Sequence, residues 1–206
     1  MRVARGDASA GGLIPNFTEP RRGLRVAPTA AALLAGTALL LAAAPSGAMA
    51  QDGCLGARAA PSVQTLDRAA DAVVCLVNAD RTRHGLRNLR GHSDLRRAAR
   101  RHSRNMVRRG FFSHVSPSGA DLSDRLRRSG YVHAKPARHV GETLGWGMGT
   151  PSTPTVIVAA WIASPPHHRI LLGRRFREVG VGVTLGTPQA TTGGATYTLD
   201  TGVSGG

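Results

Sequence analysis

The chain has 206 residues, of which 27 are Lys or Arg and 12 are Asp or Glu, so its formal net charge is +15. Only 4% of the residues are aromatic and no base-reading motif accompanies the arginines, which disfavours a nucleic-acid-binding protein. Positive charge attracts anionic partners, so anionic envelope polymers, lipid and glycan are the partner classes we consider. The alternative is that the arginines reflect GC-rich codon usage and form an ordinary solvated surface.

Residues 1–50 have the features of a secretory signal peptide. Arg21, Arg22 and Arg25 precede an apolar run over residues 27–45, and Ala48-Met49-Ala50 offers a small-residue cleavage site. We therefore predict an exported protein, secreted or associated with the envelope, without a membrane span after cleavage. The apolar run is near the lower length limit of a transmembrane helix, so a retained anchor is the alternative.

The exported part is long enough for one domain, which we predict over residues 65–206, after a short tether at 51–64. Its two cysteines, Cys54 and Cys75, would enter an oxidising compartment, where an even pair usually forms a disulfide. A redox or metal-binding cysteine pair is the alternative, but the C-x-x-C spacing typical of such pairs is absent.

Three successive helices are predicted, and each ends at a glycine that an apolar residue follows. The predicted ranges are 66–85, 93–110 and 121–130, with Ser93 and Asp121 as N-caps of the second and third helices. Seven arginines of the second helix lie off its apolar stripe, which indicates a solvated face.

The second half of the domain is predicted to contain the strands. A strand is expected at 139–147, and a helix that begins at Thr153-Pro154 is expected to stop at Pro165-Pro166. Alternating residues at 179–185 and 195–201 predict a β-hairpin. Helices first and a hairpin last favour an α+β fold over a doubly wound sheet.

Five ordered sequence blocks resemble those of bacterial CAP domains, the superfamily of cysteine-rich secretory, antigen 5 and pathogenesis-related proteins. The resemblance covers the chain from about Asp67 onward and implies a three-layer α-β-α sandwich with a cleft lined by two histidines and two acids. In some relatives these residues bind zinc or another divalent ion. The blocks are Leu76-x-Asn78-x-x-Arg81-x-x-x-Gly85-Leu86, Ser113-His114, Gly141-Glu142-Thr143-Leu144, Trp161-x-x-Ser164-Pro165-Pro166-His167 and Phe176-x-x-Val179-Gly180-Val181-Gly182-Val183.

Carried over by position, the resemblance assigns His114, Glu142 and His167 as ligands of zinc or another divalent metal. His168 is taken as a flanking residue, and the second acid of the family has no counterpart near Trp161. Two imidazoles and a carboxylate form a reasonable zinc set with an open position for water. The alternative is a buried hydrogen-bonded network without a metal.

Two classes of function follow from these residues. An incomplete acid set without a recognisable Ser or Cys nucleophile favours a non-catalytic binding module. A metal-dependent hydrolase acting on cell-wall or peptide substrates is the alternative, since metal-bound water becomes a nucleophile near neutral pH. An envelope scaffold retained by charge is a third hypothesis, which predicts release at high salt.

Overall fold

A computed structural model of the chain describes residues 2–3, 53–132, 139–190 and 192–203. The helices are α1 (Leu66–Arg83), α2 (Ser93–Arg109), α3 (Leu122–Ser129), α4 (Pro154–Ala163) and α5 (Pro165–Leu171). The strands are β1 (Arg2–Val3), β2 (Arg90–Gly91), β3 (His139–Met148), β4 (Glu178–Leu185) and β5 (Gly194–Gly202). β1 falls in the predicted signal peptide, whose other residues lie outside the described part of the chain.

The strands form one mixed sheet in the order β1-β3-β5-β4-β2. β5 pairs in antiparallel fashion with both β3 and β4, whereas β1 with β3 and β2 with β4 are parallel. The pairing of β4 with β5 confirms the predicted hairpin. In this register Glu142 of β3 lies opposite Asp200 of β5.

Helices cover both faces of the sheet. Val179, Val181 and Val183 of β4 join the core cluster that also holds the apolar residues of α1 and α4. The alternate residues Gly180 and Gly182 face α2, and a Cβ at either would collide with the backbone of that helix. This close approach confirms the α+β fold with an α-β-α sandwich, because α2 packs directly on the sheet opposite α1.

The three glycine helix ends are confirmed. Gly85, Gly110 and Gly130 all have positive φ, and the next residue donates its N–H to a carbonyl of the preceding helix. The N-cap prediction at Ser93 was wrong by one residue: the helix begins at Ser93, and His92 Nδ1 accepts the Asp94 N–H.

α4 ends at Ala163, just before the proline pair, which confirms the predicted stop, but a further helix that was not predicted begins at once. Pro165 is the first residue of α5, because proline is tolerated in the first turn of a helix as well as after its end. His167 and His168 therefore lie on a helix and not in a loop.

The disulfide between Cys54 and Cys75 is confirmed, and it ties the segment before α1 to that helix. Ala57 in the same segment is buried, and its carbonyl accepts hydrogen bonds from the backbone and hydroxyl of Thr155 in α4. The start of the predicted tether is therefore packed on the domain. Within the described residues, no helix has the length and apolar character that crossing a membrane requires.

Candidate functional site

Glu142 is the centre of a buried polar group on the α2–α3 side of the sheet. Its Oε1 accepts a hydrogen bond from His114 Nδ1 at 2.7 Å, and its Oε2 accepts one from Arg125 Nη2 at 2.6 Å. Arg125, from α3, also donates to the carbonyl of His114 at 2.9 Å. One arginine thus holds both the carboxylate and the loop that carries the histidine.

The carboxylate is ionised in this setting. Burial by itself raises the pKa of Glu142, but the His114 hydrogen bond and the Arg125 charge outweigh it and hold that pKa below its ordinary value. Because the carboxylate accepts from Nδ1, a neutral His114 carries its lone pair on Nε2.

His102 of α2 is the fourth residue of this buried group. Its Nε2 hydrogen-bonds to the Ser113 carbonyl at 3.0 Å and lies 4.0 Å from Glu142 Oε2. Burial lowers the pKa of His102 to about 4, so the ring is neutral at neutral pH. Its Nδ1 has no hydrogen-bond partner among the described residues.

Asp200 is a buried acid that is not among the site residues predicted from sequence. It lies opposite Glu142 in the sheet, and neither of its oxygens has a hydrogen-bond partner of normal geometry within the described part of the chain. Burial, and next the Glu142 charge, raise the pKa of Asp200 well above its ordinary value, which favours the protonated form of this acid beside the Glu142 carboxylate. The sequence signal for Asp200 was its alternation with Thr196 and Thr198. Alternate residues of a strand lie on the same face, so this spacing places an acid on an inward face.

A cavity of about 560 Å³ opens beside this group, between α2, the loop at 116–120 and α3. Arg125 and His102 line it, so it adjoins the Glu142 group directly. The described residues that line this cavity include no Asp and no Glu. We call this cavity the arginine cleft after its six arginines, which are Arg101, Arg104, Arg108, Arg109, Arg125 and Arg128.

The arginines of α2 divide into two sets. Arg96 and Arg97 form ion pairs with Asp71 and Asp94, and Arg100 lies 3.9 Å from a carboxylate oxygen of Asp67. The other four arginines of α2 line the arginine cleft and make no ion pair with any acid that the structure describes. They are Arg101, Arg104, Arg108 and Arg109. From sequence, these arginines are predicted to form one solvated face, but in the structure they belong to two different surfaces.

A second group of histidines and a carboxylate lies between α1 and α5. Asp80 Oδ2 accepts a hydrogen bond from His168 Nε2 at 2.8 Å, and His84 Nδ1 lies 3.7 Å from Asp80 Oδ1. The ligand atoms of the three residues lie within 4.8 Å of one another, which makes them a group that could hold a metal ion. From sequence, His168 is predicted only as a flanking residue, and Asp80 and His84 are not predicted as ligands. Their i,i+4 spacing at the end of a helix was the signal available.

The predicted metal ligands are only partly brought together. His114 and Glu142 share a hydrogen bond, and His167 of α5 is half-buried. Burial, and next the charge of His114, lower the pKa of His167. Among the described residues, only Asp80, His84 and His168 have three potential ligand atoms close enough together to share one metal ion. A metal at His114, Glu142 and His167 therefore stays a prediction.

The chain is similar to bacterial proteins from several sources. It is 32% identical to Bacillus subtilis YkwD over 110 residues, covering 53% of this chain and 40% of that protein. It is also 32% identical to the B. subtilis membrane protein YlbC over 112 residues, covering 54% of this chain and 30% of that protein. The chain therefore spans less than half the length of these two relatives.

Two solved structures share the fold. One is an extracellular SCP-domain protein of Bacillus anthracis, with a TM-score of 0.53 and 24% identity over 68% of this chain and 43% of that one. The other is an outer surface protein of Borrelia burgdorferi, with a TM-score of 0.53 and 16% identity over 65% of this chain and 90% of that one. The family model described as CAP, cysteine-rich secretory protein family, matches residues 74–197. This match covers more than half of the chain, which therefore belongs to the CAP family.

Proposed function

We propose that this protein is an exported CAP module that binds an anionic polymer of the bacterial cell envelope in the arginine cleft. The observation that carries the proposal is a cavity lined by six arginines and, among its described residues, by no acid. Guanidinium groups bind phosphate and carboxylate groups through paired hydrogen bonds, which makes phosphodiester polymers the best-matched ligand class.

The buried floor of the cleft supports ligand binding further. Arg125 Nε and His102 Nδ1 are both buried and lack a hydrogen-bond partner within the described residues. Buried polar groups are normally hydrogen-bonded, so two unsatisfied atoms in one cavity wall are typical of a site that a ligand or water completes.

The Glu142 group favours binding over hydrolysis. Its carboxylate is already engaged by Arg125 and His114, so it is poorly placed to act as a general base toward a substrate. The two cysteines are joined in the disulfide, which removes a thiol nucleophile.

A metal-dependent hydrolase is the second candidate, and one observation favours it. The hydrogen bond from His114 Nδ1 to Glu142 orients the imidazole as carboxylates orient many metal-binding histidines. If hydrolysis of wall or peptide substrates occurs, the His114→Ala and His167→Ala variants should both abolish it. Activity that survives both substitutions would remove this candidate.

The binding proposal is tested with two matched double variants of α2. Arg104→Gln/Arg108→Gln removes two cleft arginines at i,i+4 spacing, and Arg96→Gln/Arg100→Gln removes two arginines with the same spacing outside the cleft. The probe is fluorescent poly(glycerol phosphate), whose affinity is measured by anisotropy. Two lost contacts of about 0.5–1 kcal/mol each predict a roughly 5- to 30-fold weaker affinity for the cleft variant.

The control variant should bind within about twofold of the parent protein, and a neutral dextran should not bind to either. Equal losses in both variants would mean diffuse charge attraction and would overturn the cleft proposal. Binding to phosphatidylglycerol vesicles but not to the polymer would also overturn it and would identify a lipid surface instead.

A further inference from the structure

We propose that Asp80, His84 and His168 form a binding site for a divalent transition metal, with zinc as the probe ion. This site is separate from the arginine cleft and from the metal ligands that the family resemblance assigns. It goes beyond the proposed function, because it lies between α1 and α5 while the cleft lies between α2 and α3 on the other face of the sheet.

The donor set suits such an ion. Two imidazole nitrogens and one carboxylate oxygen are ligands that zinc prefers, and three protein ligands leave a fourth position for water. Asp80 and His84 are four residues apart at the end of α1, so they lie on one side of the helix. His168 reaches the same carboxylate from α5.

The site is both anchored and accessible. The Asp80 side chain is 3% exposed, whereas the side chains of His84 and His168 are 45% and 24% exposed. The buried carboxylate is thus fixed by packing, whereas the two histidine rings, which lie edge to face with centroids 5.4 Å apart, are partly open to solvent. Zinc ligands lie about 2.0–2.2 Å from the ion and hence roughly 3.5 Å apart, so closure from within 4.8 Å requires about 1 Å of movement.

His84 is the residue of the three that can move most easily. His84 follows the last residue of α1, and its Nδ1 donates to the Asp80 carbonyl at 2.9 Å. Its exposed ring can turn toward the carboxylate without disturbing the core. The carbonyls at this helix end add negative potential that favours a cation.

One cation competes for the carboxylate. Arg83 Nη2 lies 2.9 Å from Asp80 Oδ1, but the Arg83 side chain is 44% exposed. Because this arginine is partly exposed, water can replace it on the carboxylate at lower cost than for a buried arginine, so it can yield to a metal ion. The neighbouring Arg81 donates to the carbonyls of Arg87, Leu171 and Gly173.

The experiment is a zinc chloride titration of the purified protein by calorimetry, with stoichiometry checked by native mass spectrometry. We expect one zinc ion per chain. His84→Ala and His168→Arg should each weaken zinc affinity at least tenfold, and the matched control His139→Ala, at a histidine outside both candidate metal groups, should retain it. Arg83→Met should raise affinity several-fold, because it removes the competing cation.

His168→Arg separates a metal ligand from a structural residue. Arginine can keep a charged partner on Asp80 but cannot bind zinc, so the variant should fold normally by circular dichroism while losing the zinc-induced rise in Tm. The absence of stoichiometric zinc binding at millimolar zinc would overturn the proposal. Zinc lost in His114→Ala and His167→Ala but kept in His84→Ala would also overturn it and would place the ion at the family site.

Discussion

Two groups of carboxylate and histidine side chains lie on opposite faces of the same sheet, and they differ in the arginine that accompanies them. The Glu142 carboxylate pairs with Arg125, whose side chain is only 7% exposed. The Asp80 carboxylate pairs with Arg83, whose side chain is 44% exposed. A buried arginine keeps its charge and cannot leave without uncovering the carboxylate, whereas an exposed one exchanges with water at little cost.

Similar residues therefore build two kinds of site. The Glu142 group is locked by its buried arginine, which suits an architectural role at the floor of the arginine cleft. The Asp80 group has a fixed carboxylate with replaceable neighbours, which suits capture of an ion. Residue type alone would have assigned both groups the same chemistry.

The largest effect is expected when the locked pair is broken. Arg125→Met leaves the Glu142 carboxylate buried without its cation and also removes donors to the carbonyls of His114 and Ala120. We expect a loss of about 3–5 kcal/mol in the free energy of unfolding, measured by urea denaturation. A loss below about 1 kcal/mol would mean that water reaches this carboxylate and that the contrast between the groups is false.

A smaller effect of opposite sign is expected at Asp200. Because its folded pKa is raised above the ordinary value of about 3.9, its contribution to stability is present below that pH and is lost as pH rises toward the folded pKa. Asp200→Asn has no proton to lose, so it should be more stable than the parent at pH 7 by at least about 1 kcal/mol, or about 2–4 °C in Tm.

This advantage should shrink as pH falls and should be mostly lost near pH 4, where Asp200 is protonated in the folded chain and about half protonated in the unfolded chain. Thermal melts of both proteins from pH 4 to 8 measure it. A difference that is constant with pH would show that Asp200 does not titrate in the folded protein over this range.

The smallest effect is expected at the exposed arginine. Arg83→Met removes an ion pair at 2.9 Å from a half-exposed side chain, so the free energy of unfolding should change by less than about 0.5 kcal/mol. The same urea titration measures it beside Arg125→Met, which is the matched arginine substitution. A loss comparable to that of Arg125→Met would make the two groups equivalent.

Local signals in the sequence predicted much of the fold. The glycines at 85, 110 and 130 end three helices because a left-handed residue closes the last turn, and this depends only on neighbouring residues. The alternation that predicted β4 and β5 is also local. The proline pair at 165–166 was correctly predicted to stop α4, but its role as the start of α5 was missed because proline has the same local signature after one helix and at the start of the next.

The candidate sites were less accessible to such reasoning. His114 and Glu142 were identified from the family blocks, and the structure places them in contact. In the sequence, Arg125 is one arginine among many and Asp200 is an ordinary residue of a hairpin. Neither has a local pattern that reveals its neighbours.

The sequence by itself determined the family, the disulfide pair, the helix ends and the hairpin, because each depends on residue type, order or short-range backbone preference. Only the tertiary structure decided which carboxylate meets which cation. Asp80 and His168 are 88 residues apart, and Arg125 and Glu142 are 17 apart on different elements. Such pairs form when separate helices and strands pack together. Their burial then sets whether a carboxylate is held by a buried arginine, neutralised by a proton or available to an ion.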